Sequence, residues 1–433
     1  MGCMHIFFSG IGGTGIGPLA LVAQQAGYQV SGSDKQHSLY IDYLAKHGVT
    51  DVTIGQSVTD IAATHAKTPI DWYVYSSAVA IEQPDHPEFA FCHANNIRMS
   101  KRDELLNEIV TQKQLNLIAV AGTHGKTTTT AMMVWALQQL NIPLGYILPA
   151  KSSFAEMGAC DPEARYFIYE CDEFDRNFLQ FHPELSIITG IDWDHPDIYP
   201  TREDYYQAFG EFIDQSNRTV LWQSDVARLG RQPSKKESVL SDSDEQMRLI
   251  TLAGEVNRRN AWQIAQAINL LLDIPVDKSI AVLNQFPGVS RRFEQLQPGL
   301  YSDYAHTPEK IRGALQLGHE IAGDNLVVIY EGLHNTRQHF IRDDLIHLFD
   351  SVKQLYIVPS YLAREDPTLE LLTPEKLKAG LSEAAQSKAE ATTLSMLLRE
   401  TIERHLADGD TVLCLSAGGG DSLDEWLRRE LTA

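Results

Sequence analysis

Short apolar runs alternate with glycine turns and amphipathic stretches along this chain, and the order in which they recur predicts an α/β fold. Leu115, Leu117, Ile118 and Val120 form a branched apolar run suited to a strand buried on both faces of a parallel sheet, and residues 131–140 read as the helix that follows. The N-terminus repeats this logic. His5–Ser9 predicts a strand, residues 18–25 a helix, and residues 28–33 a second strand. Further strands are expected at residues 72–76 and around 96–99, then at Tyr166–Glu170 and 185–190, and last at 325–330, 354–358 and 411–416. Residues 254–272 carry the period of an amphipathic helix, residues 422–430 predict a closing helix, and the polar stretch 232–246 reads as an exposed loop or insertion.

At 433 residues the chain exceeds what one ordinary core can serve, so two or three domains are expected, with no internal repeat and no heptad pattern. An apolar fraction of 43% and a charged fraction of 21% are those of a globular protein. A net charge of -21 and a pI near 5.1 exclude a nucleic-acid partner, which needs a basic footprint. The same charge requires any anionic substrate to be held by local cations, metal and backbone dipoles against the overall field. The five cysteines, Cys3, Cys92, Cys160, Cys171 and Cys414, are scattered without a C-x-x-C pair, which points to a reduced, cytoplasmic setting. No run approaches membrane-spanning length, so no membrane association is expected.

The strongest chemical signal lies at Gly122-Thr123-His124-Gly125-Lys126-Thr127-Thr128, between the predicted strand and helix. Backbone N–H groups of such a turn point at phosphate oxygens, Lys126 reaches the terminal phosphates, and the Thr127 hydroxyl is placed to ligate Mg2+. The loop is shorter than the usual phosphate loop, because Val120 stands where its first glycine would fall. Two later strands deliver acids to the same edge: one runs into Glu170-Cys171-Asp172-Glu173-Phe174-Asp175, the next into Ile191-Asp192-Trp193-Asp194-His195-Pro196-Asp197. A metal and phosphate site is the expectation, with Glu170 and His195 as ligands. Gly10-Ile11-Gly12-Gly13-Thr14-Gly15 fits G-x-G-x-x-G and Asp34 follows near ribose-binding distance; alone these residues suggest NAD.

The ordered series G-I-G-G-T-G, S-S-A-V from Ser76, A-G-T-H-G-K-T-T-T-T, E-C-D-E-F-D, I-D-W-D-H-P-D, V-N-R-R-N-A, S-R-R-F-E, D-Y-A-H-T-P and A-G-G-G-D resembles the Mur ligases, ATP-dependent amide-forming enzymes of peptidoglycan precursor synthesis. The likeness runs through nearly the whole chain. It implies three domains: a Rossmann-like UDP-sugar-binding domain over residues 1–115, a P-loop ATPase-like central domain over 116–297, and a Rossmann-like C-terminal domain over 298–433 that takes the amino acid. By the resemblance Lys126, Glu170 and His195 are catalytic, and Thr127, Glu170 and His195 hold Mg2+ or Mn2+. Gly122 to Thr128, Asn257, Asn260, Arg292 and Asp303 bind ATP. Gly10, Gly12, Gly13, Thr14, Gly15, Ser33, Asp34, Ser76 and Ser77 bind the UDP-sugar, so that tight NAD binding is not expected.

The histidine in the phosphate loop and the glycine-rich start resemble the branch that adds L-alanine to UDP-N-acetylmuramate through an acyl phosphate, releasing ADP and phosphate. That branch lacks the carbamylated lysine of later Mur ligases, and here no lysine occurs between Lys151 and Lys235. The alternatives are the relative that attaches a preformed tripeptide in cell-wall recycling, and a nucleotide-binding scaffold without chemistry. One departure concerns the amino acid. Where alanine-adding enzymes carry F-Q-P-H-R-Y, this chain reads Tyr330-Glu331-Gly332-Leu333-His334-Asn335-Thr336-Arg337, leaving His306, His334 and Arg337 as the expected amino-acid-binding residues.

Overall fold

The computed structural model describes residues 3–76, 79–80, 83–194, 198–362 and 365–432. Three mostly parallel sheets bear out the α/β architecture. The first contains β1 (His5–Ser9), β2 (Gln29–Asp34), β3 (Val52–Ile54), β4 (Trp72–Tyr75) and β5 (Arg98–Lys101), in the order β3-β2-β1-β4-β5 with every pairing parallel. Strand order reverses beside β1, so the crevice at its carboxyl end is where an α/β sheet binds ligand.

The second sheet contains β6 (Asn116–Ala121), β7 (Leu144–Ile147), β8 (Gly158–Cys160), β9 (Tyr166–Glu170), β10 (Leu185–Ile188), β11 (Arg218–Trp222) and β12 (Glu237–Leu240). Its order is β12-β11-β10-β6-β9-β7-β8, and β6 lies between the two strands that carry the acidic turns. Five of the six residues of β6 are buried, as a strand covered on both faces requires. The third sheet contains β13 (Glu294–Gln297), β14 (Leu300–Asp303), β15 (Leu326–Leu333), β16 (Gln354–Tyr361), β17 (Ala389–Ala391) and β18 (Thr411–Leu415), in the order β13-β14-β18-β15-β16-β17.

Contacts group the chain into two compact units, Met1–Ile250 with Asn260–Pro287, and Thr251–Arg259 with Gly288–Ala433. The first unit holds two sheets because one apolar core runs through both, from Phe8, Leu19 and Leu105 to Leu117, Phe167, Tyr169 and Phe178. In the second unit β15 divides its side chains by parity: Leu326, Val328 and Tyr330 enter one core, Val327 and Ile329 the other.

Three expectations about elements change. The stretch 232–246 is not wholly a loop, since Glu237–Leu240 forms edge strand β12, parallel to β11. Its three-residue pattern Ser238-Val239-Leu240 is too short to stand out, and only pairing makes it a strand. The helix after the phosphate loop begins at Lys126 rather than near residue 131. Four consecutive threonines are poor helix formers, but Thr127, Thr129 and Thr130 are buried and packing overrides propensity. The fifth strand begins at Arg98, because Asn96 turns the chain at φ 53° just before it.

Candidate active site

The turn after β6 is built around two glycines that no other residue replaces cheaply. Gly122 has φ +141°, and a methyl group there would stand 2.4 Å from the Thr189 hydroxyl and 2.9 Å from the Gly190 carbonyl. Gly125, at φ +77°, caps the helix Lys126–Gln139, and a methyl group there would stand 3.3 Å from the Asn260 amide. Thr123 fastens the turn to the chain after β10: its N–H donates to the Gly190 carbonyl (2.8 Å) and its hydroxyl to the Asp192 carbonyl (2.6 Å), with Tyr205 at 2.8 Å. His124 lies 3.9 Å from the Asp192 carboxylate and its carbonyl accepts from the Thr189 hydroxyl.

Lys126 bends back over this turn. Its ammonium donates to the Gly122 carbonyl and to the Glu173 carboxylate, both at 2.6 Å. Burial works to lower the Lys126 pKa, but the carboxylates of Glu173, Asp172 and Glu170 outweigh it and hold the group above the ordinary lysine range. Glu173 is 1% exposed, so the pair is shielded from solvent.

Thr127 is buried on the first helical turn, Thr128 half-buried beside it, and Glu170 ends β9 in the strand position adjacent to Val120 of β6. Thr127 and Glu170 thus flank the turn as a metal site would need. His195, expected as a third ligand, lies outside the described residues. Asn260 is 3% exposed and its side-chain nitrogen has no hydrogen-bond partner, an orphaned donor next to Gly125 that fits a bound nucleotide. Asn257, three residues earlier on the helix Glu255–Leu272, donates instead to the Ala253 carbonyl at 2.9 Å.

In the first sheet the glycine loop opens a cleft of about 310 Å³ lined by Gly10, Gly12, Gly13, Asp34, Gln56 and His86, among others. The Gly10 and Ile11 N–H groups donate to the Ser33 carbonyl at 2.8 and 3.0 Å, and the buried Ser33 hydroxyl is unpartnered. Asp34 sits at the end of β2 as expected, but its carboxylate accepts the Gly12 N–H at 2.8 Å and so shapes the loop. Thr14 is exposed, Gly15 and Ser76 half-buried, and Ser77 lies outside the described residues.

The two sheets of this unit meet where β5 ends. Lys101 pairs with Asp175, the Tyr169 hydroxyl donates to Asp103 at 2.7 Å, and Tyr43 donates to Glu156 at 2.6 Å.

The second unit gathers a separate group. His306 is 7% exposed with an unpartnered Nδ1; burial first, then Lys310, Arg337 and Arg292, hold it well below the ordinary histidine pKa. Asp303 accepts the Phe293 N–H at 2.7 Å, and burial pushes its carboxyl up to about 6 against the pull of Arg292, that N–H and Lys310. Arg291 and Arg292 lie over the Tyr304 ring at 4.7 and 4.9 Å. His334 stands at φ 55°, with its Nδ1 3.5 Å from Glu365, on the turn before the helix that carries Arg337. The structure therefore brings together His306, Arg337 and Arg292.

Three residues without a role in the sequence reading stand close to these sites: Glu173, Arg102 and His86. Glu173 lies inside the quoted acidic turn, which continues through Asp175 and Arg176, both at φ 55°. His86 caps the helix Pro87–Ala94 and gives no motif signal.

A buried phosphate turn flanked by carboxylates, and a second glycine cleft on a separate parallel sheet, define a nucleotide-dependent α/β enzyme. The description "Mur ligase family, catalytic domain" matches residues 5–114 and "Mur ligase middle domain" matches residues 120–260, together more than half of the chain. The chain belongs to the Mur ligase family. It is 29% identical to a UDP-N-acetylmuramate–L-alanine ligase of Koribacter versatilis over 99% of this chain and 97% of that protein. In fold it is similar to the UDP-N-acetylmuramate-alanine ligase of Thermotoga maritima (TM-score 0.75, 22% identity, 99% of this chain, 98% of that one). It is also similar to a murein peptide ligase of Psychrobacter arcticus (TM-score 0.63, 21% identity, 99% and 98%).

Proposed function

We propose that this chain joins L-alanine to the lactoyl carboxylate of UDP-N-acetylmuramate, using ATP and releasing ADP and phosphate, in peptidoglycan precursor synthesis. The observation that carries the reading is end-to-end similarity to an alanine-adding ligase, 99% of this chain against 97% of the relative. The interval between Lys151 and Lys235 without a lysine supports the same branch. We assign residues 1–115 to the UDP-sugar, 116–297 to ATP and 298–433 to the amino acid, and the cytoplasm as the setting. Among the described residues no helix is long and apolar enough to cross a membrane.

A carboxylate is a poor electrophile, so it is first phosphorylated, and the amine then displaces phosphate from the acyl phosphate. The protein's part is alignment and charge neutralisation. The turn's N–H groups and Lys126 would hold the phosphates, with Lys126 exchanging Glu173 for the nucleotide. Thr127 and Glu170 are the described residues suited to Mg2+, which would neutralise charge on the transferring phosphoryl group. Asn260 would bind the nucleotide through its orphaned donor. Arg337, beside the neutral His306, would take the carboxylate of the amino acid. The folded likeness to a murein peptide ligase favours a second reading, addition of a preformed tripeptide.

ADP release with Mg2+, ATP and UDP-N-acetylmuramate separates the readings when L-alanine, L-serine, glycine or L-Ala-γ-D-Glu-diaminopimelate is supplied singly and products are weighed. Turnover with L-alanine is expected. Turnover with the tripeptide alone would move the assignment to the second reading, and none with any acceptor would leave a scaffold.

A further inference from the structure

Arg102 is the first residue of the helix Arg102–Gln112, directly after β5, and so emerges at the same carboxyl edge of the first sheet as the glycine loop after β1. A methyl group on Gly15, the last glycine of that loop, would stand 2.2 Å from Arg102 Nη1 and 3.4 Å from its guanidinium carbon. The guanidinium therefore occupies the volume that a side chain at position 15 would need. Its neighbour Lys101 is committed to Asp175, whereas the ion pair of Arg102 is to Asp103, with Nε 3.5 Å from Oδ2. Tyr169 and Asp172 lie within electrostatic reach of the guanidinium as well, and the side chain is 28% exposed. In a chain of net charge -21, an anion arriving at the loop meets repulsion unless a fixed cation stands there. A guanidinium fork matches paired phosphate oxygens better than an ammonium does.

We propose that Arg102 binds the diphosphate of the sugar nucleotide, completing with its guanidinium the cradle begun by the glycine loop, and that Gly15 is glycine to leave room for it. The inference rests on the reading of the first-sheet cleft as the UDP-sugar site. Arg102 then acts on substrate affinity, and its charge alone is not sufficient, since the fork supplies two donors at once.

Titration calorimetry with UDP, UDP-N-acetylglucosamine and UDP-N-acetylmuramate tests it on the wild-type chain and on Arg102→Ala, Arg102→Lys and Gly15→Ala. Arg102→Ala and Arg102→Lys are each expected to weaken all three ligands about tenfold or more, the gain of a charge-assisted bidentate contact. Gly15→Ala should displace the guanidinium and weaken binding similarly, but cost nothing further in the Arg102→Ala background. Melting temperature and ATP affinity of each variant check that the rest of the unit is folded. Unchanged affinity in a folded Arg102→Ala variant overturns the proposal while the cleft assignment stands. A loss confined to UDP-N-acetylmuramate overturns it also, placing Arg102 on the lactoyl carboxylate instead. Absence of binding to the wild-type chain by all three ligands removes the cleft assignment itself.

Discussion

The Lys126 ammonium sits 2.6 Å from the Glu173 carboxylate, so the lysine expected to reach the nucleotide is held by an internal anion. Breaking a shielded pair by removing one partner leaves an uncompensated charge. Lys126→Ala and Glu173→Ala should each lower unfolding free energy by roughly 3 kcal/mol, and the double variant by clearly less than their sum. Urea denaturation of the four proteins measures this. Turnover should vanish in Lys126→Ala even where the protein remains folded, which ADP release reports.

Gly122 offers a sharper geometric test. A methyl group 2.4 Å from the Thr189 hydroxyl and 2.9 Å from a carbonyl has no flexible neighbour to push aside, and φ +141° is a conformation that alanine rarely adopts. Gly122→Ala should weaken ATP binding by at least about tenfold, because strain of 1–3 kcal/mol must be relieved by moving the turn. Fluorescent-nucleotide titration checks the affinity. Gly125→Ala, where the nearest atoms are 3.3 Å away on a side chain, should cost less.

Asp303 gives the second unit a pH signature. Its carboxyl is pushed up to about 6 from 3.8, chiefly by burial. Below pH 3.8 it is protonated both folded and unfolded, and its neutral form contributes fully. Between there and about 6 the unfolded chain releases the proton while the folded chain keeps it, so this contribution is lost as pH rises. Asp303→Asn should remove that component, seen as a flatter dependence of melting temperature on pH between 4 and 6.

The strand and glycine turn at residues 116–125, the places of most core strands along the chain and the acidic strand ends were legible because long apolar runs and fixed glycine spacings are local signals. The short edge strands were not. Val52–Ile54, Gly158–Cys160 and Ala389–Ala391 have three residues each, and pairing alone makes them strands. Within the site, Glu170 and Glu173 are equivalent as letters. The fold distinguishes them: Glu170 ends β9, while Glu173 on the turn beyond it meets Lys126 at 2.6 Å. Arg102 was hidden for another reason: its partner is the absence of a side chain at Gly15.

Arg337 carries the amino-acid assignment. Replacing it by alanine should raise the KM for L-alanine about tenfold or more, the worth of a charged contact to a carboxylate, with the KM for ATP unchanged. Steady-state kinetics with each substrate varied in turn separates the two. An equal rise for ATP would place Arg337 elsewhere in the reaction.

The hydrogen bond from the Tyr169 hydroxyl to Asp103, with the Lys101 and Asp175 pair beside it, makes residue 115 a poor place to cut and join. A chimera that borrows the first 115 residues of another ligase would bring a new Lys101-Arg102-Asp103 surface to acceptors shaped for this one. Asp103 is 1% exposed, so a mismatch there would strand a carboxylate in the joint. Exchange of the first sheet between relatives therefore has to carry β9 and its acidic turn along with the glycine loop, as a single inherited block.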